Sequence, residues 1–514
     1  MWFDKPRAWL EKHTLCKVLV LCAGTLLFLA AAYVVYYRHS DLWHLWLPTS
    51  IYNDEVMYNR QVAGILAGGQ PSGYFGYNET HAEVGRFGAW GPILIGLYAL
   101  PGLVTGDGVN AMFWCNILFA VAGWAVFAWG TRLPWYKQLA FGAALFCVSL
   151  PLQMVFSGLA EPSQYFLILV IVGAAVALRR DSRRGWFVFL ALACTLITLV
   201  RAYTALLWIF PIVVLWNRKR SWSVVSIVLA FVSLLGYFAV TAWCNAPFFT
   251  GGDVDYTVFE CLANGRVLEG ISYEVGRIFQ QIGTLWENYV APTLAGDLKP
   301  QGLAFLVMEL LFLITLISLC LDLWHKRPVM IRACALVCVF LSQVAMLALY
   351  TMDPMTRHYT MLAVLLLAAC VYEWRAGWLV WLPTLIFPLL AGDGMQLRPL
   401  PTYSAQIDAQ IQQVHAALAD AQSDCESKDP WVHTIAYAYG DNVFHGYLYA
   451  VPSGMGIEFD WNTYLADETQ PIYSHYAMVN HGTEAEARLL ADGWQELVST
   501  EDLVVYEQNT ENEA

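Results

Sequence analysis

Long apolar runs alternate with short polar connectors along most of this chain. The first is "KVLVLCAGTLLFLAAAYVVYY" (Lys17 to Tyr37), and others cover residues 111–131, 138–156, 163–178, 185–200, 202–216, 222–244, 302–324, 329–350, 358–374 and 376–391. A helix that crosses a bilayer takes roughly 20 mostly apolar residues. The pattern therefore predicts a polytopic α-helical membrane protein with about 11–13 transmembrane helices. The run "GAWGPILIGLYALPGLVTG" (88–106) breaks strict alternation of sides if it is one full crossing, and its Gly and Pro content predicts a kinked or re-entrant segment. After residue 392 the pattern changes. A helical period near 402–422 precedes the strand-like "WVHTIAYAY", "GMGIEF" and "SHYAMVN", then the amphipathic "EAEARLLADGW" and the strand "LVVYEQ". This reads as a small α/β domain. The expected division is residues 1–391 as a membrane body and 392–514 as a soluble domain.

Basic clusters set the expected orientation, because loops rich in Lys and Arg stay in the cytoplasm. They are "RLPWYK" (132–137), "RRDSRR" (179–184), "NRKR" (217–220), "HKR" (325–327) and Arg375. Lys5, Arg7, Lys12 and Lys17 precede the first run, and no small-residue cleavage site follows it. The first helix is expected to be retained, with its N-terminus cytoplasmic. Residues 38–88, 157–162, 201, 245–301, 350–357 and everything after 392 then fall on the outer side.

Composition agrees with the pattern: 58% of the 514 residues are hydrophobic and only 13% charged, and the mean hydropathy is +0.48. The net charge of −13 is unevenly spread, since residues 392–514 hold 20 acidic and 3 basic side chains. An acidic outer piece of this kind argues against nucleic-acid or anionic-lipid binding. Most of the 12 cysteines lie inside apolar runs as small apolar side chains. Only Cys244, Cys261 and Cys425 fall in expected extramembrane regions, which leaves a Cys244–Cys261 bridge open. No Cys/His metal spacing occurs.

This topology gathers ionisable residues at one membrane face. The first outer loop (38–88) holds Asp54, Glu55, Arg60, Glu79, His81, Glu83 and Arg86. The turn "SGLAEPSQ" holds Glu161, and "LVRAYTALL" holds Arg201. The second long outer loop (245–301) opens with "GGDVDY", which contains Asp253, Asp255 and Tyr256, and it also holds Arg266 and Arg277. The turn "YTMDPMTRHY" adds Arg357, His358 and Tyr359. Charges at the hydrocarbon edge cost a few kcal/mol unless they are paired or face water, so they mark functional sites. The bland readings compete: an acidic loop start at Asp54/Glu55, a helix start at "AEPS", a snorkelling Arg201, and a solvated face for Glu79, His81 and Glu83. Asn78-Glu79-Thr80 also fits a glycosylation sequon.

On these motifs the chain resembles the GT-C superfamily of membrane glycosyltransferases, which includes protein O-mannosyltransferases, aminoarabinose transferases and oligosaccharyltransferases. The matching features are an outer loop opening with an acidic pair, "IYNDEVMYNRQVAGIL" (51–66), and the aromatic, glycine-rich "GYFGYNETHAEVGRFGAWGPIL" (73–94). "SGLAEPSQYFLILV" (157–170), the arginine in "ITLVRAYTALL" (197–207) and a terminal soluble domain complete the match. The chain lacks the repeat domain inserted in O-mannosyltransferases. It also lacks the WWD-type motif of oligosaccharyltransferases, which argues against asparagine-directed transfer.

The resemblance implies a polyprenyl-phosphate-linked sugar donor and transfer, with inversion, to a glycan, lipid or protein acceptor. Asp54 matches the family's acidic pair and is the expected general base, which must lie within hydrogen-bond reach of the acceptor hydroxyl; Glu55 supports it. Arg201 and Arg357 are expected to hold the leaving phosphate, because guanidinium matches phosphate in a bidentate way, with His358 and Tyr359 as hydrogen-bond donors. Glu161, His81, Glu83, Asp253 and Asp255 are candidate sugar or acceptor contacts, and Glu161 also suits a divalent cation such as Mg or Mn. No glycine-rich nucleotide loop is present. Three rivals differ in their signature. A transporter or flippase concentrates polar groups at the bilayer midplane in repeated halves. A glycan polymerase or ligase carries a large late outer loop rich in Arg and His. A scaffold would be indifferent to Asp54→Asn.

Overall fold

The structure is a computed structural model that describes residues 13–36, 54–68, 75–79, 91–105, 111–147, 155–244, 255, 257–298, 300–349, 357–385, 404–423, 429–439 and 445–509. The membrane body contains α1 (Thr14–Tyr36), α2 (Asp54–Gly68), α3 (Gly91–Thr105), α4 (Ala111–Thr131), α5 (Trp135–Cys147), α6 (Glu161–Asp181), α7 (Arg184–Val200) and α8 (Ile209–Trp216). It continues through α9 (Arg220–Cys244), α10 (Thr257–Ala263), α11 (Val267–Leu285), α12 (Ala291–Leu294), α13 (Pro300–Trp324), α14 (Met330–Leu349), α15 (Arg357–Glu373) and α16 (Trp381–Thr384). Among the described residues, five helical stretches are long and apolar enough to cross a bilayer: Ala111–Thr131, Glu161–Asp181, Arg220–Trp243, Gly302–Trp324 and Met330–Ala348. Shorter apolar helices surround them, and the chain is a multi-pass α-helical membrane protein. Its flank is built for lipid: α9 turns Val228, Phe231, Leu235 and Phe238 outward.

Helix α6 is the hub, buried along nearly its whole length. Its closest neighbour is α4, and glycines set the approach. A Cβ on Gly130 would fall 2.0 Å from the carbonyl oxygen of Gly173, and one on Gly173 would fall 2.7 Å from the Cα of Phe127. Small residues are what let helix backbones touch in this way.

All the basic turns meet at one end of the bundle. Arg179 pairs with Glu373 at 3.2 Å, and Arg332, fully buried, pairs with Asp322 at 2.6 Å. Lys137 donates to the carbonyls of Val371 and Trp374, Arg180 donates to that of Gly130, and Arg218 donates to that of Arg179. Residues far apart in sequence can share these bonds only if the connectors 132–137, 179–184, 217–220 and 374–375 lie together. We call this the basic end.

Two runs behave differently from a simple crossing. Helix α3 has 15 residues with Pro101 inside, about 22 Å of rise against a hydrocarbon core of about 30 Å. The Tyr98 hydroxyl donates to Asn116 on the second turn of α4, and Gly102 abuts Leu66 of α2. Helix α3 is thus shorter than a full crossing and is tied at Tyr98 to the end opposite the basic turns. The run 202–216 is a 3₁₀ helix (Ala202–Trp208) followed by α8. Its seven 3₁₀ residues rise about 2 Å each, so the stretch spans more depth than an α-helix of equal length.

The C-terminal unit is a mixed six-stranded sheet of order β1-β3-β2-β4-β6-β5. Its strands are β1 (Phe75–Tyr77), β2 (Thr434–Tyr439), β3 (Gly456–Trp461), β4 (Tyr476–Asn480), β5 (Gln495–Ser499) and β6 (Leu503–Glu507). Strand β2 alternates as a two-sided strand must. Ile435 and Tyr437 join one core with Val414 and Leu418 of α17 (Ala405–Ser423). Ala436 and Ala438 join the other with Leu465 of α18 (Asn462–Ala466) and Leu489 of α19 (Glu484–Ala491). The pattern after residue 392 anticipates β2, β3, β4 and β6. Strand β1 comes from the segment between α2 and α3 and pairs in parallel with β3, Phe75 opposite Ile457 and Tyr77 opposite Phe459.

Candidate functional site

At the end opposite the basic turns, a chain of hydrogen bonds fixes the start of α6. Tyr98 donates to Asn116 Oδ1 at 2.8 Å. The Asn116 side-chain amide in turn donates to the carbonyls of Ser157 and Leu159, each at 2.8 Å. The Ser157 hydroxyl accepts from the Leu159 backbone N–H, and Ser163 donates to the Ala160 carbonyl. The loop is held from both sides, and Pro162 in the first turn starts the helix where no side chain caps it.

Glu161 is therefore presented at the positive end of a 21-residue helix, 1% exposed. Its Oε1 accepts from Arg201 Nη2 at 3.1 Å. Arg201 sits where α7 breaks: its backbone is extended, with φ −148° and ψ 123°. Thr204 bridges the break, because its hydroxyl lies 2.7 Å from the carbonyls of both Ile197 and Arg201. Gln164, three positions after Glu161 and on the same helix face, is buried, and its Nε2 has no hydrogen-bond partner among the described residues.

Other expected residues arrive at this same end. Helix α2 begins at Asp54 and Glu55. Asn59 on its second turn accepts from the N–H of Met112, at the start of α4. Helix α15 begins at Arg357, His358 and Tyr359 and packs against α6. Since Glu373 closes α15 at the basic end, its first turn lies level with that of α6. The side chains of Asp54, Glu55, Arg357, His358 and Tyr359, and residues His81, Glu83 and Asp253 entirely, lie outside the described residues.

Asp255 is engaged within its own segment: it accepts from the N–H of Thr257 and from Tyr273, and pairs with Arg277 at 2.8 Å. Burial alone would raise its carboxyl, but these hydrogen bonds and the Arg277 charge outweigh burial and hold it at about 2. Glu79 is not a solvated loop residue. It is buried, and it accepts from the N–H groups of Tyr473 and Ser474 and from the Ser474 hydroxyl. Asn78 of the sequon is held as well, accepting from the N–H of Trp461. Cys261 is a free, buried thiol, so it forms no bridge with Cys244.

Two positioning groups have no signature in the sequence. Arg60 is buried, and its guanidinium donates to the carbonyls of Leu448, Val451, Pro452 and Met455. Those carbonyls close the 3₁₀ helix His445–Ala450 and the turn after it. Strand β1 and Glu79 make a second seam. At Gly76 an added Cβ would fall 2.1 Å from Glu458 Oε1, so the Glu458 carboxylate would have to move aside. The sheet thus grips the segment between α1 and α3 at two points, at α2 and just after it.

Among the described residues no three His, Cys, Asp or Glu side chains gather at metal spacing, and the Glu161 carboxylate faces the Arg201 guanidinium.

No protein-family model matches the chain, and no curated protein matches it. Among solved structures it is similar to the apo form of an oligosaccharyltransferase from the archaeon Archaeoglobus fulgidus, at 10% identity and TM-score 0.51, covering 90% of this chain and 69% of that one. The same enzyme in complex with Zn and sulfate matches at 10% identity and TM-score 0.49, covering 89% and 67%. A complex of that enzyme with an inhibitory peptide and a dolichol-phosphate matches at 11% identity and TM-score 0.46, covering 95% and 73%. The apo match shows a shared fold, that of a multi-pass α-helical membrane body with a C-terminal domain containing a sheet.

Proposed function

We propose that this protein is a membrane glycosyltransferase. It moves a sugar from a polyprenyl-phosphate donor to an acceptor hydroxyl at the outer membrane face, with inversion. The basic end faces the cytoplasm, which puts the Glu161–Arg201 end and the C-terminal sheet outside. Residues 1–391 act as the catalytic body and 392–514 as its outer domain. The observation that carries this reading is the buried pair of Glu161 and Arg201, set at the same end as the first turns of α2 and α15.

In the proposed reaction Asp54 takes the proton of the acceptor hydroxyl as its oxygen bonds to the anomeric carbon. The bond from that carbon to the donor phosphate oxygen breaks, and its electron pair stays on the phosphate. Arg201 and Arg357 receive the growing negative charge, because arginine stays cationic and has five donors to share. One guanidinium nitrogen of Arg201 donates to Glu161, which orients the group. Glu55 supports the base, His358 and Tyr359 donate to the phosphate, and Gln164 with Glu161 contacts the sugar. An archaeal enzyme of the same fold binds a dolichol-phosphate, a ligand of the proposed donor class.

The test is to incubate purified protein with a polyprenyl phospho-sugar and envelope acceptor and to follow release of polyprenyl phosphate. Release by the native chain and none by Asp54→Asn, at equal expression, supports the reading. Equal release by both refutes it.

A further inference from the structure

Helix α11 is built inside out for a protein in water. Viewed down its axis, Leu268, Ile271, Val275, Phe279, Ile282 and Trp286 form one stripe at three- and four-residue spacing. Every one is exposed, Leu268 at 83% and Phe279 at 69%. The opposite side is the buried one. Gly270 packs against Cys261 and Val258 of α10, and buried Arg277 pairs with Asp255 at 2.8 Å. A helix that turns its charge inward and its hydrocarbon outward faces an apolar medium.

Depth agrees. The helix continues without a break through the π-helical turn Trp286–Val290 into α12. There Tyr289 packs on Phe305, with ring centroids 6.4 Å apart, and Thr293 lies against Gly302. Gly302 and Phe305 are in the first two turns of the spanning helix α13. The end of α11 therefore runs beside the first turns of a membrane-crossing helix.

We propose that α11 lies along the membrane surface with the Leu268–Trp286 stripe sunk among the acyl chains of the leaflet opposite the basic turns. Its occupant is lipid hydrocarbon. Charge excludes anionic headgroups as the main partner: Glu269 is exposed, Arg277 is turned inward, and Arg266 is taken by Glu269 at 2.9 Å. Attachment is then hydrophobic and insensitive to salt.

The test places a genetically encoded environment-sensitive fluorophore at Ile271, Phe279 or Trp286, and at Glu269 or Gln280, in the full chain in phosphatidylcholine nanodiscs. Blue-shifted emission, quenched by acyl-brominated lipid at the three stripe positions and not at the two controls, is expected. The result should not change with 20% anionic lipid or with added salt. Quenching by aqueous iodide at the stripe positions would overturn the proposal, as would stripe emission that shifts only when two copies share a disc. The measurement needs no enzymatic activity, so it stands or falls apart from the proposed function.

Discussion

Glu161 and Arg201, forty positions apart, meet at 3.1 Å where one helix begins and another breaks. The carboxylate is 1% exposed and the guanidinium 15%. Removing one partner of a buried pair leaves an uncompensated charge, at a cost of about 3–5 kcal/mol. Arg201→Met is expected to lower the thermal midpoint of the purified protein more than Glu161→Gln does. The double variant should recover part of the loss. Additive losses would show that the pair does not couple.

Arg60 holds four carbonyls of the C-terminal unit. Burial lowers its own pKa to about 10, a sign of how much desolvation the fold accepts to keep it there. Arg60→Lys, with a point charge in place of a fork, keeps only part of the bonding. Each charge-assisted bond is worth about 1.5–3 kcal/mol. The expected outcome is faster proteolytic release of the C-terminal unit, more for Arg60→Ala than for Arg60→Lys. Unchanged protease resistance in both would contradict the assigned role.

The second seam depends on pH. Burial, then the nearby charges of Glu79 and Glu458, push Asp460 up to about 10, and burial also raises Glu79. The folded chain keeps a proton on Asp460 that the unfolded chain releases above about pH 4. This contribution is complete below pH 4 and is lost as pH rises toward 10. Asp460→Asn retains the oxygen that accepts from the Glu79 N–H. It should flatten the pH dependence of unfolding between 6 and 9 and raise stability at the upper end. A steep profile in the variant would point to another group.

Gly173→Ala tests the hub. The new Cβ would meet backbone atoms of Phe127 and Val126, which cannot swing away. Overpacking of this kind costs about 1–3 kcal/mol, so the thermal midpoint should fall. Gly185→Ala, with nothing within 4 Å of its Cβ, should leave it in place.

Much of this fold is legible in the sequence, because apolar length and basic connectors are strong local signals. The turn holding Glu161 and the break at Arg201 could be read from "SGLAEPSQ" and "LVRAYTALL" for the same reason. What escaped is non-local. Strand β1 has three residues, too few for a period, and becomes a strand only because β3 is beside it. Arg60 bonds to carbonyls, which carry no residue signature. Strand β5 is half exposed, so its alternation is weak. Glu79 reads as a loop acid because nothing nearby in sequence announces the Tyr473 and Ser474 amides that bury it. Asn116, which fixes the approach to Glu161, lies in an apolar run where a single amide is easily passed over.

The most direct test of the central claim is a cryo-electron microscopy structure with polyprenyl phosphate bound. The account predicts the phosphate within about 3 Å of the Arg201 and Arg357 guanidinium groups, with the Asp54 carboxylate facing the same cavity. A phosphate bound elsewhere, with Asp54 separated from Arg201 by packed helix, would contradict it.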